Sequence, residues 1–176
     1  MLQEQAYFCN MKYIYFLALI FFFTSCNNSG IDNAIKDISS LEQNSKLKNS
    51  DSLINSYIRF ADANPKHDSS AYYLMHAAHI CVTNSKVVKG ARLYERVANE
   101  YTGNPIVPQA LINGGIAFAT IPDPAHAKKL YDQFITLFPK HPRIEEVKKW
   151  SEYSGLTDEE LFRRFQERLN SKDTNL

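Results

Sequence analysis

The sequence has no excess of charge of either sign. Twenty Lys and Arg residues stand against 19 Asp and Glu residues, which leaves a net charge of +1 over 176 residues. A protein that neutralises several phosphates of a nucleic acid needs a basic surface. The balance of charge therefore argues against a nucleic-acid partner. The hydrophobic fraction of 44% is instead ordinary for a soluble globular domain with its own core.

Familiar catalytic motifs are also missing. The chain contains no G-x-S-x-G, no glycine loop that cradles phosphate and no H-E-x-x-H. Its one cluster of metal-ligating side chains is His76, His79 and Cys81. Of these, His76 and His79 are spaced to share a helix face, and a zinc site would need a third or fourth ligand beside them. The nearest other candidates, His67 and Asp68, lie across a predicted turn. We therefore expect a protein that is not an enzyme and that binds no metal or cofactor. A metal-dependent accessory enzyme around His76 and His79 is kept as an alternative.

Long apolar runs are scarce. The chain has one, Tyr13 to Phe23, preceded by Met11 and Lys12 and followed by small residues. This run is about half of the roughly 20 apolar residues that span a bilayer, so it is typical of an export signal. We predict a signal peptide over residues 1–25, with translation starting at Met11. An uncleaved membrane anchor is the alternative.

Cysteine is rare, with Cys9, Cys26 and Cys81 only. The segment FTSC at residues 23–26 resembles the lipobox of bacterial lipoproteins, and the resemblance implies acylation of Cys26 after cleavage before it. Some inner-membrane lipoproteins carry Asp where this chain has Asn27, so the resemblance also implies an outer-membrane lipoprotein. No acidic run follows Cys26, so the resemblance does not imply export to the outer face, and we expect the protein to face the periplasm.

Residues 26–50 are predicted to hold the lipid-attached cysteine, a short tether up to Gly30 and a weakly amphipathic first helix from Ile31 to Leu41. A polar stretch rich in Asn, Ser and Lys then indicates a loop. Asp51 or Ser52 is the expected cap of the next helix.

Beyond residue 51 the chain repeats with a step of 37 residues. Three segments carry apolar residues at the same helical spacing, and two of them end at Pro65 and Pro139. The aligned sets are Tyr57, Phe60, Ala61 and Asn64; Tyr94, Val97, Ala98 and Tyr101; and Tyr131, Phe134, Ile135 and Phe138. His67 and His141 fall at equivalent exits, which predicts a shared turn. A fixed period is typical of helical repeats, in which each unit buries its apolar face against its neighbours.

One unit of this repeat resembles a known family. Seven residues match the tetratricopeptide (TPR) consensus within a span of 34: Leu111, Gly115, Phe118, Ala127, Tyr131, Phe134 and Pro139. The resemblance implies an all-α fold, a TPR-like solenoid of helical hairpins with its repeats at residues 51–142. Gly114 and Gly115 inside a helix cost about 1 kcal/mol each relative to Ala, so they predict close helix packing. The middle unit departs from the consensus at Cys81, Gly90 and Thr102.

Residues 143–176 are predicted to form C-terminal capping helices and a tail. One amphipathic helix ends at Gly155, and Thr157 to Glu160 is a capping box for a last helix. We expect that helix to bury four apolar residues against the repeats, as the terminal cap of a solenoid does. They are Leu161, Phe162, Phe165 and Leu169. An amphipathic helix on the lipid surface is the alternative.

The TPR resemblance also implies where a partner binds, because in that family the first helix of each unit forms the inner wall. Here the register gives an inner strip of six residues: Tyr72, Met75, His79, Gln109, Ile112 and Ile116. The strip is mostly apolar and lacks the lysines that clamp a C-terminal carboxylate in some TPR domains. We expect it to be covered by a partner's amphipathic segment or by the chain's own helix at residues 161–169.

Together these features predict a non-catalytic, lipid-anchored TPR-like scaffold of the bacterial cell envelope. It resembles the TPR lipoproteins of outer-membrane assembly and cell-wall coordination. The expected partners are an envelope protein or peptide segment, and the membrane through acylated Cys26. The alternative function is that of a structural subunit of an outer-membrane protein assembly complex.

Overall fold

The computed structural model describes residues 28–173, and within them all regular structure is helical. The predicted all-α class is thereby confirmed for this part of the chain. The eight helices are α1 (Asn28–Gln43), α2 (Asp51–Ala63), α3 (Asp68–Thr83), α4 (Val87–Glu100), α5 (Val107–Thr120), α6 (Pro124–Leu137), α7 (Ile144–Ser154) and α8 (Asp158–Asp173). The predicted signal peptide and the predicted acylation site, Cys26, lie outside the described residues.

Each helix from α2 to α6 packs against the helix before it and the helix after it, while α1 packs on α2 and α7 packs on α6. The connections are short, and the buried side chains form one continuous core from Ile38 in α1 to Val147 in α7. Within residues 28–173, no helix is long and apolar enough to cross a membrane.

The beginning of the described chain differs from the expected boundaries. Asn28, Ser29 and Gly30 belong to α1, not to a tether. The cap of α2 is Ser50, whose side chain accepts a hydrogen bond from the Leu53 amide at 3.3 Å. Helix ends depend on which backbone donor a side chain reaches, and neighbouring Ser and Asp residues satisfy the same sequence rule.

Side-chain contacts between neighbouring helices recur with the same 37-residue period as the sequence. Three tyrosines in register, on α2, α4 and α6, each contact the residue 19 positions later on the following helix. The pairs are Tyr57 with His76, Tyr94 with Asn113 and Tyr131 with Trp150. Ring centroids are 6.0 Å apart in the first pair and 5.7 Å apart in the last. The third pair extends the contact repeat into α7, beyond residue 142.

The turns that follow α2, α4 and α6 share one geometry. Their C-cap residues have closely similar backbone angles, with φ/ψ of −133/57 at Asn64, −121/42 at Tyr101 and −129/54 at Phe138. Three residues further on, a side chain accepts a hydrogen bond from the amide two positions later. The acceptors are His67 Nδ1 at 3.1 Å, Asn104 Oδ1 at 3.1 Å and His141 Nδ1 at 3.2 Å. The shared turn predicted from His67 and His141 is confirmed.

Glycines allow the closest approaches between helices. A Cβ on Gly115 would lie 2.7 Å from Cδ1 and Cζ of Tyr131, and a Cβ on Gly114 would lie 2.7 Å from Leu130 Cδ1. Gly90, where the TPR consensus has Ala, faces the Ala78 carbonyl oxygen, and a Cβ there would lie 2.8 Å from that oxygen. The prediction that Gly114 and Gly115 mark close helix packing is confirmed.

The expected C-terminal cap is wrong for the described side chains. The capping box is present, since Thr157 Oγ1 accepts from the Glu160 amide at 3.2 Å and Glu160 Oε2 accepts from the Thr157 amide at 2.9 Å. However, Leu161, Phe162 and Phe165 are 37%, 65% and 57% exposed, so α8 turns its apolar face to solvent.

The composition of α7 explains this outcome. Val147 is buried, and Trp150 lies over Tyr131 of α6. The rest of α7 is rich in exposed charged residues, of which Glu152 forms an ion pair with Arg164 of α8. Val147 and Trp150 thus pack toward α6, and the link from α7 to α8 is the polar Glu152–Arg164 pair.

Candidate functional site

Helix α3 carries the first half of the inner strip. Tyr72 is 43% exposed and His79 is exposed, while Met75 is half-buried and packs against the core. The opposite face of α3 carries Leu74 and Ala78, which are fully buried. The strip residues of α3 are therefore accessible because core packing uses the other side of the helix.

Helix α5 carries the second half, and one of its residues is not accessible. Gln109 is exposed and donates from Nε2 to Asn113 Oδ1 at 2.6 Å, and Ile116 is 43% exposed. Ile112, by contrast, is fully buried. The buried face of α5 is broad here, since Ala110 and Leu111 beside it are buried as well. Ile112 is thus a core residue, and the binding role expected for it does not fit this structure.

Ile116 opens instead onto a pocket between α5 and α7, which we call the Ile116 pocket. Its volume is about 500 Å³. The lining residues are Ile116, Ala119, Thr120, Tyr131, Trp150, Tyr153 and Ser154. None of the three strip residues of α3 lines it, so the structure does not gather the inner strip into one cavity.

The chemistry of the Ile116 pocket is apolar and aromatic. Tyr131 is buried beneath it, and burial raises the pKa of the Tyr131 phenol to about 12, which keeps it uncharged at neutral pH. The Arg143 guanidinium lies 5.1 Å from the centroid of the Trp150 ring, within range of a cation–π contact. This arrangement fits an apolar side chain and contains no pair of groups set up for acid–base chemistry.

Sequence reasoning missed Trp150 and Tyr153, although a signal for them existed. One step of 37 leads from His79 to Ile116, and a second step leads from Ile116 to Tyr153. The same step leads from Asn113 to Trp150. The predicted repeats stopped at Pro142, so the register was not carried into α7.

The side chains that could act as metal ligands or as a reactive thiol are either dispersed or buried. Across residues 28–173, no group of three or more His, Cys, Asp and Glu residues is placed to hold a metal ion. His76 and His79 are exposed on α3, and Cys81 is fully buried. Burial raises the pKa of the Cys81 thiol, which keeps it protonated and unreactive. Cys81 therefore acts as a small apolar core residue.

A polar cluster joins α6 to α7. Lys128 Nζ lies 2.7 Å from Asp132 Oδ2, and the Ser151 hydroxyl donates to the other oxygen of the same carboxylate. Ser151 is buried, so no substrate reaches its hydroxyl. This cluster positions α7 and with it the far wall of the Ile116 pocket.

Comparisons with known proteins place the chain in no family. No protein-family model matches the sequence, and no curated protein matches it.

Proposed function

We propose that this protein is a lipid-anchored, TPR-like scaffold that binds a segment of another envelope protein at the Ile116 pocket. In this proposal acylated Cys26 anchors the chain to the outer membrane, and the helical hairpins face the periplasm. The TPR resemblance, the lipobox-like segment and the 37-residue repeat of contacts support it.

The observation that carries the proposal is an open apolar pocket on the side of α5 and α7. The face formed by α2, α4 and α6 is different, because polar pairs link those helices. Arg96 lies 2.7 Å from Asp62, Lys129 lies 3.0 Å from Glu95, and Lys86 pairs with Asp51. Apolar surface that stays accessible beside such a polar face is typical of a protein-binding site.

The chemistry of the pocket also indicates the kind of segment that binds. Tyr131, Trp150 and Tyr153 supply aromatic surface, and Ile116 supplies aliphatic surface. The described lining residues include no Lys or Arg to hold a terminal carboxylate. An apolar or aromatic side chain from an internal, amphipathic segment of the partner fits this pocket best.

Affinity purification tests the proposal. The acylated protein with a C-terminal tag is isolated from envelopes in mild detergent, alongside an Ile116→Asp, Tyr153→Asp double variant. The matched control is Val88→Asp, since Val88 is an exposed apolar residue on α4, away from the pocket. We expect the control to retain the partner. The double variant should lose it while its helical circular dichroism and melting temperature stay close to those of the parent.

Retention of the same partner by the folded double variant would rule out the Ile116 pocket as the binding site. Recovery of several envelope proteins in a fixed ratio, with the chain unstable when produced without them, would instead favour the structural-subunit reading.

The membrane anchor is tested separately with Cys26→Ala. Each buried methylene of an acyl chain contributes about 0.8 kcal/mol to membrane partitioning, so loss of acylation should release the protein from outer-membrane fractions or leave it unprocessed. Fractionation and intact mass of the parent and the variant measure this. Unchanged fractionation together with unchanged mass would refute the lipoprotein assignment.

A further inference from the structure

A second pocket lies between α1 and α2, and we call it the Asp37 pocket. Its volume is about 440 Å³, within the roughly 300–1,000 Å³ of small-ligand sites. Ile31 and Ile38 of α1 and Phe60 of α2 line it with apolar surface. Each helix also contributes one charged side chain, Asp37 from α1 and Arg59 from α2. The Asp37 pocket thus differs from the Ile116 pocket, whose lining residues carry no charge.

Asp37 is a departure from the repeat. One step of 37 residues leads from Asp37 to Leu74, and a second step leads to Leu111. Both leucines are fully buried, whereas Asp37 is exposed. Among the described residues, its carboxylate has no hydrogen-bond or ion-pair partner. The first unit therefore places an unpaired acid at the pocket, in a position that the later units use for the core.

Arg59 also differs from its counterpart one repeat later. That counterpart is Arg96, whose Nη2 lies 2.7 Å from Asp62 Oδ1 and whose Nε lies 2.9 Å from Glu100 Oε1. Arg59 has no acidic partner in the described part of the chain, and its Nη2 donates to Ser56 Oγ at 3.2 Å. Ser56 also lines the pocket, so this hydrogen bond holds the guanidinium beside the opening. Two opposite charges, one from each helix, thus remain for a ligand.

These charges favour a ligand that carries both signs. A guanidinium binds phosphate oxygens well because its planar N–H groups match their geometry, and a carboxylate accepts hydrogen bonds from a primary ammonium. A ligand with only one sign of charge would leave the other side chain unpaired. The apolar residues suit carbon atoms next to the charged groups. An amphiphile with a phosphate and an ammonium matches all three features.

The position of the pocket along the chain favours a lipid as this amphiphile. Gly30 lines the pocket and follows Cys26 by four residues. Four residues span at most roughly 14 Å, so an acylated Cys26 keeps the pocket close to the lipid headgroups.

We propose that the Asp37 pocket binds a zwitterionic phospholipid headgroup, with Arg59 on the phosphate and Asp37 on the primary ammonium. This contact holds α1 and α2 against the bilayer surface, so it orients the protein that the acyl chains anchor. The proposal rests on the lipid anchor of the proposed function, which the fractionation of Cys26→Ala tests independently.

The first test uses the purified, acylated full chain in an uncharged sugar detergent. The probe is glycerophosphoethanolamine, the headgroup without acyl chains, and saturation-transfer NMR measures its binding. Inorganic phosphate and leucine are the comparison ligands, because the first lacks the ammonium and the second lacks the phosphate. We expect glycerophosphoethanolamine to bind more tightly than either.

Two substitutions separate the roles of the charges. Arg59→Gln should weaken glycerophosphoethanolamine binding about three- to fivefold, since an exposed charge pair is lost. Asp37→Asn should weaken it by a similar factor but strengthen the binding of inorganic phosphate, because the carboxylate repels an anion. Loss of folding cannot produce these opposite changes. Asp32→Asn and Lys36→Gln should bind as the parent does, since both residues are exposed on α1 and do not line the pocket.

The second test offers the lipid in a bilayer. The acylated protein is placed in nanodiscs with equal amounts of phosphatidylethanolamine and phosphatidylglycerol, and native mass spectrometry identifies the lipid that it retains. The parent should retain phosphatidylethanolamine, and the Asp37→Asn, Arg59→Gln double variant should not. The Ile116→Asp, Tyr153→Asp variant should retain it, which separates this proposal from partner binding at the Ile116 pocket.

No binding of glycerophosphoethanolamine to the parent, or unchanged binding in Asp37→Asn and Arg59→Gln, would overturn the proposal. Tighter binding of leucine would overturn it in favour of a free amino acid. Equally tight binding of inorganic phosphate would overturn it in favour of a simple anion site at Arg59.

Discussion

At the scale of single residues, Ser85 adopts a backbone conformation that favours glycine. Its φ is +61°, the only positive φ of a non-glycine residue in the described chain. The next amide, of Lys86, donates to the Cys81 carbonyl at 2.8 Å, which closes the C-terminal turn of α3. A side chain at this position is strained, whereas glycine is not.

Ser85→Gly should therefore raise the free energy of unfolding by about 0.5–1 kcal/mol, because it removes the Cβ strain in the turn. Urea denaturation of the parent and the variant measures the change. Ser85→Val is the matched control and should lower stability, since β-branched residues tolerate positive φ poorly. A destabilised glycine variant would contradict the strain argument.

The side chain of His67 stabilises the turn before α3. It accepts from the Ser69 amide, and its ring meets Phe60 edge-on with centroids 5.1 Å apart. Asn104 fills the same position one repeat later and makes the same hydrogen bond. Asn is therefore a conservative substitution for His67, because another repeat of the same chain uses it at the equivalent position.

We expect His67→Ala to lower the free energy of unfolding by about 1–2 kcal/mol, because both the cap and the ring contact are lost. His67→Asn should lose less, since the acceptor remains. Thermal and urea unfolding of the two variants give the comparison. Equal losses in both would mean that the hydrogen bond contributes nothing measurable.

At the scale of helices, the approach of α5 to α6 depends on Gly115. Alanine favours a helix over glycine by about 1 kcal/mol, so propensity alone predicts that Gly115→Ala is stabilising. The structure predicts the reverse, because the new Cβ would meet the ring of buried Tyr131. Overpacking of this kind costs about 1–3 kcal/mol.

Gly115→Ala should therefore lower the urea midpoint. Gly30→Ala is the matched control: Gly30 also lies in a helix, but a Cβ there would meet nothing within 4 Å. The control should be neutral or mildly stabilising. A neutral Gly115→Ala variant would show that α5 and α6 can separate without cost.

At the scale of the whole molecule, buried tyrosines make the free energy of unfolding depend on pH in the alkaline range. Burial raises the pKa of Tyr131 to about 12 and also raises the pKa values of Tyr57, Tyr73, Tyr94 and Tyr101. The unfolded chain releases these protons near the ordinary pKa of about 10, whereas the folded chain retains them. Above that pH the unfolded state binds fewer protons, so stability falls as pH rises.

The contribution of Tyr131 is therefore fully present below about pH 10 and is lost as the pH approaches 12. Absorbance at 295 nm and circular dichroism, followed over this range, should show phenol ionisation and unfolding together. In Tyr131→Phe the loss of stability between pH 10 and 12 should be smaller. Ionisation of all tyrosines near pH 10 with the helices intact would contradict the buried positions.

Over the whole molecule, the sequence by itself determined the features that depend on spacing along the chain. The 37-residue period places Tyr57, Tyr94 and Tyr131 on the same face of alternate helices, α2, α4 and α6, and helical spacing makes that face apolar. The turn at His67 and His141 and the close approach at Gly115 followed for the same reason. Each of these features depends on a local sequence pattern, so it can be predicted without knowing which helices pack together.

The tertiary structure alone decided what covers each face. Ile112 is core although Met75, one repeat earlier, is only half-buried, and the pocket beside Ile116 exists because Trp150 and Tyr153 come from α7. The apolar face of α8 is exposed because α7 packs Val147 and Trp150 toward α6 and meets α8 through the polar Glu152–Arg164 pair. An amphipathic pattern specifies which side of a helix is apolar, whereas burial depends on a second surface that the chain brings near only when it folds.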